Sequence, residues 1–320
     1  MKSKIFEKIR PVLSFAGLIL LIIVYLFAVN FKPSLFHLQT IIDQVAVMAV
    51  LSTGAVFIFS LGSFDISLGV SAGVSVCLGI MAYNAGFGLW GMFVVCIAIG
   101  LAAGLVNSLL STVFKMPVFI MTMAMMTVLT AILQILLDGK TDLKIINDIS
   151  GPARSVDNTW IRLAFMAVFF VVCIVLFNYT RIGRRNKILG GSAKVAAQTG
   201  ISVAKQTIVT FLISGAAVGI SAFLMITRSR SVSTTTGTSL GMDVMMAIVF
   251  GGMPLSGGAY SKISSGVIGS LSMVLLSQIL TILGVSAGLS QVYKSVLFLV
   301  VVFVASFAYR EKTLSRAEMF

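Results

Sequence analysis

An all-α, polytopic membrane protein is the fold class that this sequence predicts, and three observations support it. Hydrophobic residues make up 58% of the 320 residues, and the mean hydropathy is +1.08. Charged residues make up only 10%, whereas soluble domains usually carry about 25%. The apolar residues form long charge-free runs that suit helices crossing a hydrocarbon core of about 30 Å. We therefore expect one transmembrane domain over residues 1–320, with about ten spanning helices, some of them broken.

The first five spans follow from the apolar runs between charged or proline residues. Asp43 precedes the second run and Asp65 follows it, and the composition of residues 84–88 predicts a turn between the third and fourth spans. Pro117 stands where the first turn of a helix tolerates proline. The predicted spans are residues 11–31, 44–64, two within 66–114, and 117–137.

A polar loop of mixed charge, residues 138–162, separates these spans from five more. The eighth is short and is interrupted by Gly251, Gly252 and Pro254. Ten crossings place both termini on one side, and most of the 23 basic residues fall on that side, which predicts cytoplasmic termini. The net charge of +13 therefore requires no nucleic-acid partner. The later spans are residues 163–179, 206–227, 243–258, 263–283 and 295–309.

Small residues recur at a spacing of four in several spans. This small-xxx-small spacing permits close helix packing, so it predicts a compact bundle. It does not indicate which helices pack together. The pairs are Gly69/Gly73, Gly100/Gly104 and Gly215/Gly219.

Residues 181–205, the basic segment, are the longest polar interruption in the second half of the chain and contain no acidic residue. Ser192 can cap the start of a helix, and Gly200 can end it in a left-handed turn. Three alanines at i, i+3 and i+4 then predict a smooth face that another protein could approach closely: Ala193, Ala196 and Ala197. Two interpretations remain open, a solvated positive loop and a docking helix for a cytoplasmic partner.

Asp65 is the most costly residue to place in a membrane, because a carboxylate at that depth costs at least ~2.5 kcal/mol even on insertion scales. Gly62, Ser63 and Ser67 surround it and predict a break in helical structure. The carboxylate would then either cap a helix or take a substrate-contacting or gating role. The same two interpretations apply to Asp243, just before the eighth run.

Catalytic chemistry finds little support in the sequence. The only histidine is His37, and we expect no catalytic residues, no metal site and no cofactor. The chain lacks a phosphate-binding loop, so we expect no ATP binding by this chain itself. Three cysteines lie within apolar runs without metal-ligand spacing and are expected to be core residues: Cys77, Cys96 and Cys173.

Four stretches carry a family resemblance when taken in order. They are LGSFDISLGVSAGVSVCLG at 61–79, GLAAGLVNSLLSTVFKMPVFIMTMAMM at 100–126, ILGGSAKVAAQTGISVAKQTIVTFLISGAAVGISAFL at 188–224 and LGMDVMMAIVFGGMPLSGGAYSKISSGVIGSL at 240–271. Over residues 46–306 the chain resembles the permease subunit of ribose-type bacterial ABC sugar importers, within the branched-chain amino acid/sugar inner-membrane permease family.

This resemblance implies a multi-pass transport subunit of the bacterial inner membrane, without enzymatic activity of its own. It also implies three kinds of protein partner: two cytoplasmic ABC ATPase subunits or domains, a second permease that is identical or related, and an extracytoplasmic sugar-binding protein. Membrane lipid would surround the chain. The basic segment would supply the coupling helix that contacts the ATPase, through Gly183, Arg184, Gly190, Gly191, Ser192, Ala193, Ala196, Ala197 and Gly200.

The resemblance implies transport by alternating access. The expected cargo is a monosaccharide or sugar-like neutral solute, since the spans offer hydroxyl, amide and aromatic groups but little charge. Residues 228–241, which depart from the family pattern, are unusually rich in Ser and Thr. The alternative is an ion-coupled secondary transporter that uses Asp65 or Asp243 as a proton or sodium site. The candidate residues for the pathway or its gate are Asp65, Ser67, Asn107, Phe119, Thr122 and Asp243.

Overall fold

The computed structural model describes residues 16–146 and 157–317, with side chains described as far as residue 303. Helices dominate the described chain. In order they are α1 (Ala16–Ala28), α2 (Leu35–Ser60), α3 (Leu68–Ala82), α4 (Gly88–Thr112), α5 (Val118–Leu137), α6 (Thr159–Ile174), α7 (Arg181–Gly191), α8 (Ala193–Gln198), α9 (Val203–Ser229), α10 (Leu240–Phe250), α11 (Ser264–Ile282) and α12 (Ala287–Ala317). Wider helical turns follow α3 (Tyr83–Phe87) and α6 (Val175–Tyr179), and a 3₁₀ turn (Gly258–Tyr260) precedes α11.

Six helical stretches of the described chain are long and apolar enough to cross a membrane. One of them contains α3, the turn after it and α4, and Gly86 has a φ of 92° at the predicted break. Three apolar helices are shorter: α1, α10 and the apolar part of α12. Each predicted span contains a helix, while the count of ten crossings and the cytoplasmic side of the termini stay predictions.

The central helix of the bundle is α2, which is buried throughout from Ala46 to Ser60. A helix that is apolar on all faces is expected inside a bundle. It packs against α6, α9 and α11, and α9 packs in turn against α4. This helix begins at Leu35 after the cap Ser34, so Asp43 lies inside it and does not open it as predicted.

Close packing of α4 against α9 depends on two of the predicted glycine pairs. A Cβ on Gly100 would overlap the carbonyl of Gly215 and approach the amide of Gly219. A Cβ on Gly104 would overlap the carbonyl of Phe211. The two pairs therefore face each other, as expected for helices that approach through small residues.

The prediction of an entirely α-helical chain needs one correction, because two short strands pair in antiparallel fashion. They are β1 (Asp142–Lys144) and β2 (Ser231–Ser233). The Asn84 side chain joins this pair to the turn after α3, since it donates to the carbonyl of Lys144 and accepts from the amide of Ile146. These contacts tie three polar connections together at one end of the bundle.

Candidate functional site

Asp65 lies in the break between α2 and α3, where its side chain organises the start of α3. The break begins with Gly62 at a φ of 74°. Asp65 is buried, and its Oδ1 accepts hydrogen bonds from the Ser67 amide at 2.9 Å and the Ser67 hydroxyl at 2.6 Å. The carboxylate thus satisfies an amide at the helix start that has no partner within the helix. Asp65 thus stabilises the start of α3 from two residues before the N-cap Ser67, as the capping interpretation expects.

Side chains from α4 and α5 reach the same break. Asn107 donates through Nδ2 to Asp65 Oδ2 at 3.2 Å and to Ser67 Oγ at 2.9 Å. The hydroxyl of Thr122 lies 3.4 Å from the carbonyl of Phe64. We call Asp65, Ser67, Asn107 and Thr122 the polar cluster; it unites four of the six pathway candidates.

The side chains of the remaining two pathway candidates add no hydrogen bond to the polar cluster, although the Phe119 carbonyl accepts one from Thr122 Oγ1 at 3.1 Å. Phe119 is on α5 with 45% of its surface exposed. Asp243 is in the first turn of α10, where its Oδ2 receives a hydrogen bond from Lys294 Nζ at 3.2 Å, and both residues are buried. The prediction had not assigned a role to Lys294, because its pairing with Asp243 becomes visible only when α10 and α12 are packed together.

A second buried charge network was missed because the prediction placed Arg162 in the polar loop. The structure places it inside α6 with only 2% of its surface exposed. Its Nη1 lies 3.0 Å from Asp43 Oδ2 on α2, and its Nη2 bonds Asp157 Oδ1. Asp157 also accepts from Arg230 at 2.9 Å. The network joins α2, α6 and the end of α9.

The basic segment contains α7, α8 and the start of α9. Ser192 Oγ accepts from the amide of Val195 at 3.4 Å, and Gly200 has a φ of 77°, so the predicted short helix and its two ends are confirmed. The predicted face of three alanines is wrong. Ala196 is fully buried, whereas Ala193 and Ala197 are exposed. The outer surface of α8 is therefore formed by other residues: Ala193, Lys194, Val195, Ala197 and Gln198.

Asn186 attaches α7 to the bundle, a role that the sequence does not predict. It is fully buried and donates through Nδ2 to the carbonyl of Phe57 on α2 at 3.2 Å. Its Oδ1 accepts from Gln206 Nε2 at 2.6 Å and from Thr210 Oγ1 at 3.2 Å, both on α9. The only signal in the sequence is an amide among basic residues, which by itself is typical of an exposed loop.

Two of the coupling candidates lie at close backbone contacts. A Cβ on Gly190 would overlap the carbonyl of Ser60 and approach the amide of Gly258. A Cβ on Gly183 would overlap the carbonyl of Phe177. Gly190 therefore allows α7 to pack closely on the end of α2, and Gly183 allows it to pack on the turn that follows α6. Arg184 and Gly191 are exposed beside them.

A shallow groove beside α7 and α8 combines apolar and positive character. Burial and the nearby positive charge of Lys262 lower the pKa of Lys187, which borders this groove. Arg184 and Lys194 add exposed positive charge on the same segment. Such a surface suits a protein partner that supplies acidic groups at its rim. The groove is lined by Lys187, Ile188, Gly191, Ser192, Val195 and Ala259.

Comparisons with known proteins find import permeases. The chain is 29% identical over 314 residues to the ribose import permease RbsC of Bacillus subtilis, covering 93% of this chain and 92% of that protein. It is 26% identical to the fructose import permease FruF of Bifidobacterium longum, covering 82% and 76%. It is 24% identical to the autoinducer 2 import permease LsrC of Yersinia pseudotuberculosis, covering 85% and 79%.

A solved structure supports the fold. The chain superposes on a protein described as a metal-chelate type ABC transporter in an inward-facing conformation, with a TM-score of 0.57 and 18% identity. The match covers 92% of this chain and 99% of the other. A family profile described as "Branched-chain amino acid transport system / permease component" matches residues 38–306. The chain belongs to this family of ABC importer permeases: it is a multi-pass inner-membrane protein and a transport subunit rather than an enzyme.

Proposed function

We propose that this chain is the permease subunit of an ATP-driven importer for a monosaccharide or sugar-like neutral solute. It works by alternating access and is coupled through the basic segment to two cytoplasmic ABC ATPase subunits or domains. A second permease, identical or related, completes the membrane part, and an extracytoplasmic binding protein delivers the solute. The names of the relatives, which import ribose, fructose and autoinducer 2, support the solute class.

The main support for a neutral solute is that the buried charges are already compensated within the chain. Each has a polar or charged partner within the chain: Asp43 pairs with Arg162, Asp243 pairs with Lys294, and Asp65 accepts from Ser67 and Asn107. These five charged residues are the ones buried within the described chain. A pathway for an ion is expected to present charge at membrane depth that is not already compensated. Internal pairing therefore favours a solute recognised by hydroxyl and amide groups.

The docking role of the basic segment rests on the way α7 is fastened. The bonds of Asn186 and the close contact of Gly190 attach α7 to α2 and α9. The exposed side of α7 and α8 stays free for a partner and carries Arg184 and Lys194. A partner bound there acts on the ends of two central helices. This arrangement supports transmission of an ATPase movement into the bundle.

The second candidate, an ion-coupled secondary transporter, would use Asp65 or Asp243 as its ion site. Lys294 already compensates the charge of Asp243. The two oxygens of Asp65 both accept hydrogen bonds within the chain. An ion site would have to replace these partners. The importer hypothesis needs no such rearrangement.

Native purification and reconstituted uptake test the proposal. An ABC ATPase is expected to copurify with this chain from its own membrane. Proteoliposomes with the full complex and the binding protein are then supplied with labelled ribose, galactose, inositol, a nucleoside and an anionic sugar phosphate. ATP-dependent uptake of a neutral solute is expected. Selective uptake of the phosphate, or uptake by this chain alone driven by an ion gradient, contradicts the proposal.

A further inference from the structure

A loop that begins at the last residue of β2 and leads to α10, residues 233–239, has no role in the site described above. Its sequence is STTTGTS, so every residue except Gly237 carries a hydroxyl group. We call it the hydroxyl loop. Hydroxyl side chains compete for backbone hydrogen bonds and favour irregular structure, which accounts for the absence of a helix here. Their density in a chain this apolar calls for a reason beyond a simple turn.

The hydroxyl loop returns into the depth of the bundle. The 27 residues of α9 rise about 40 Å from the basic segment, which exceeds a hydrocarbon core of about 30 Å. Therefore β2 lies near the opposite surface. In contrast, α10 has 11 residues and rises about 16 Å. The chain after α10 returns to the basic segment, where Gly258 contacts Gly190, so α10 begins near the middle of the membrane.

Close contacts with α3 hold the hydroxyl loop at this depth. A Cβ on Gly69 would overlap the carbonyl of Gly237, and a Cβ on Gly73 would overlap the carbonyl of Thr236. At the end of the loop, a Cβ on Gly241 would overlap the carbonyl of Ile66. The remaining predicted glycine pair, Gly69/Gly73, therefore packs against the hydroxyl loop and the first residues of α10. Ile66 follows Asp65, so the loop ends beside the break in the chain that contains the polar cluster.

One side of the hydroxyl loop is open. Thr235 and Ser239 are exposed, and Thr234 is half-buried. Irregular polar backbone at membrane depth is tolerated where it is buried in protein or lines a water-filled cavity, and it does not face lipid. The open side consequently faces water or another protein.

Ser239 shows that the loop keeps hydroxyl groups available. It occupies the N-cap position of α10, yet its side chain makes no capping hydrogen bond. In contrast, Ser34, Ser192 and Ser202 each cap a helix through the hydroxyl. Within the described chain the Ser239 hydroxyl has no hydrogen-bond partner, and the Thr235 hydroxyl contacts only Ser233 Oγ, at 3.2 Å. Both groups can therefore donate to and accept from a solute.

We propose that the hydroxyl loop lines the water-filled solute pathway, and that Thr235 and Ser239 hydrogen bond to hydroxyl groups of the transported neutral solute. This assignment rests on the proposed function for the class of solute. It places the contact beside the polar cluster, where α3 and α10 both begin. The hydroxyls suit a polyhydroxylated molecule, since each can exchange water for a solute hydroxyl without a change of charge.

Cysteine labelling of the complete transporter tests the location. Thr235→Cys and Ser239→Cys are made separately, in a chain whose native cysteines are all buried. A charged, membrane-impermeant thiol reagent is expected to modify both. The control is Val168→Cys on the apolar helix α6, where the side chain is 65% exposed and is expected to face lipid. Labelling of the loop no faster than that of the control means that lipid or a second permease covers the loop, and overturns the proposal.

Solute protection and uptake test the contact. Ribose, galactose and inositol are each supplied with the binding protein, and the solute that is transported is expected to slow labelling of Thr235→Cys. Thr235→Val and Ser239→Ala, at normal membrane abundance, are expected to lower its uptake rate by about 2- to 10-fold, the loss of one hydrogen bond. The proposed contact is overturned if a solute is transported but does not slow the labelling of Thr235→Cys, or if the two variants take it up at the normal rate. If no neutral solute is transported, the proposed function fails, while the labelling result still decides whether the loop lines a pathway.

Discussion

Replacement of Arg162 by Met should strongly destabilise the fold. The guanidinium is 2% exposed and lies 3.0 Å from Asp43 Oδ2. Its removal leaves the Asp43 carboxylate buried without its cationic partner, while Asp43 Oδ1 already has no hydrogen-bond partner in the described chain. Breaking a buried pair from one side costs about 3–5 kcal/mol. That cost corresponds to a shift of roughly two to three and a half orders of magnitude in the unfolding equilibrium.

The double variant Asp43→Asn/Arg162→Met provides the matched control. It removes both charges, so the unpaired carboxylate that dominates the cost is gone, and most of the lost stability should return. Asp157 keeps Arg230 at 2.9 Å in either variant, and its side chain is 35% exposed, so it contributes little to the difference. Denaturant titration of the purified chain in detergent measures the free energy of unfolding of both variants. A cost below about 1 kcal/mol for Arg162→Met, typical of an exposed pair, would refute the reasoning. So would a double variant as unstable as the single one.

Three further predictions concern other parts of the chain. Ala197→Trp should keep normal membrane abundance but abolish solute-stimulated ATP hydrolysis by the complex, whereas Ala196→Trp should lower abundance because that side chain is buried; equal behaviour of the two would contradict the docking assignment. Asp65→Asn should transport at nearly the normal rate, since Asn107 can turn its unpartnered Oδ1 towards the new amide, while Asp65→Leu should lose about 0.5–2 kcal/mol of stability with the cap; lost uptake by Asp65→Asn at normal abundance would favour an ion or gating role. Gly69→Val should lower the thermal unfolding temperature, because its side chain meets the carbonyl of Gly237, whereas Gly288→Ala meets no atom within 4 Å and should change little; similar unfolding temperatures would contradict the close contact.

Sequence patterns predicted the features of this fold that depend on neighbouring residues. The apolar runs located a helix in every predicted span, because a helix satisfies its own backbone hydrogen bonds in lipid. The cap at Ser192 and the left-handed turn at Gly200 followed from local chemistry. The break around Asp65 followed from the cost of its charge and from the small polar residues beside it.

Features that depend on packing between distant segments could not be predicted in this way. A charge normally ends a membrane span, so the sequence predicts a loop position for Arg162, but its burial is compensated by Asp43 of α2 together with Asp157. Helical spacing predicts that Ala196 shares an outer face with Ala193 and Ala197, because spacing gives the angles between side chains but not which side chain points inward. The spacing of Gly69 and Gly73 predicts a contact between helices, but the same spacing also accepts a loop of turns, and here a loop and the start of α10 lie against the pair. In each case a segment distant in the sequence, rather than the residue itself, determines where the residue lies and what it contacts.

The contacts around the end of α2 explain how the basic segment and the polar cluster can act together under the proposed function. Gly190 of α7 is seated on the carbonyl of Ser60, and the turn at Gly62 packs against the carbonyl of Ser256. Beyond that turn, Asp65 is hydrogen bonded to Asn107 of α4. Because closely packed interiors transmit displacement rather than absorb it, a movement of α7 has to shift the end of α2 and the break together. The break is the least regular part of this path, with Asp65 holding it to α3 and α4. A permease driven from its cytoplasmic side is therefore expected to change shape at this break, while the long helices on either side move as rigid bodies.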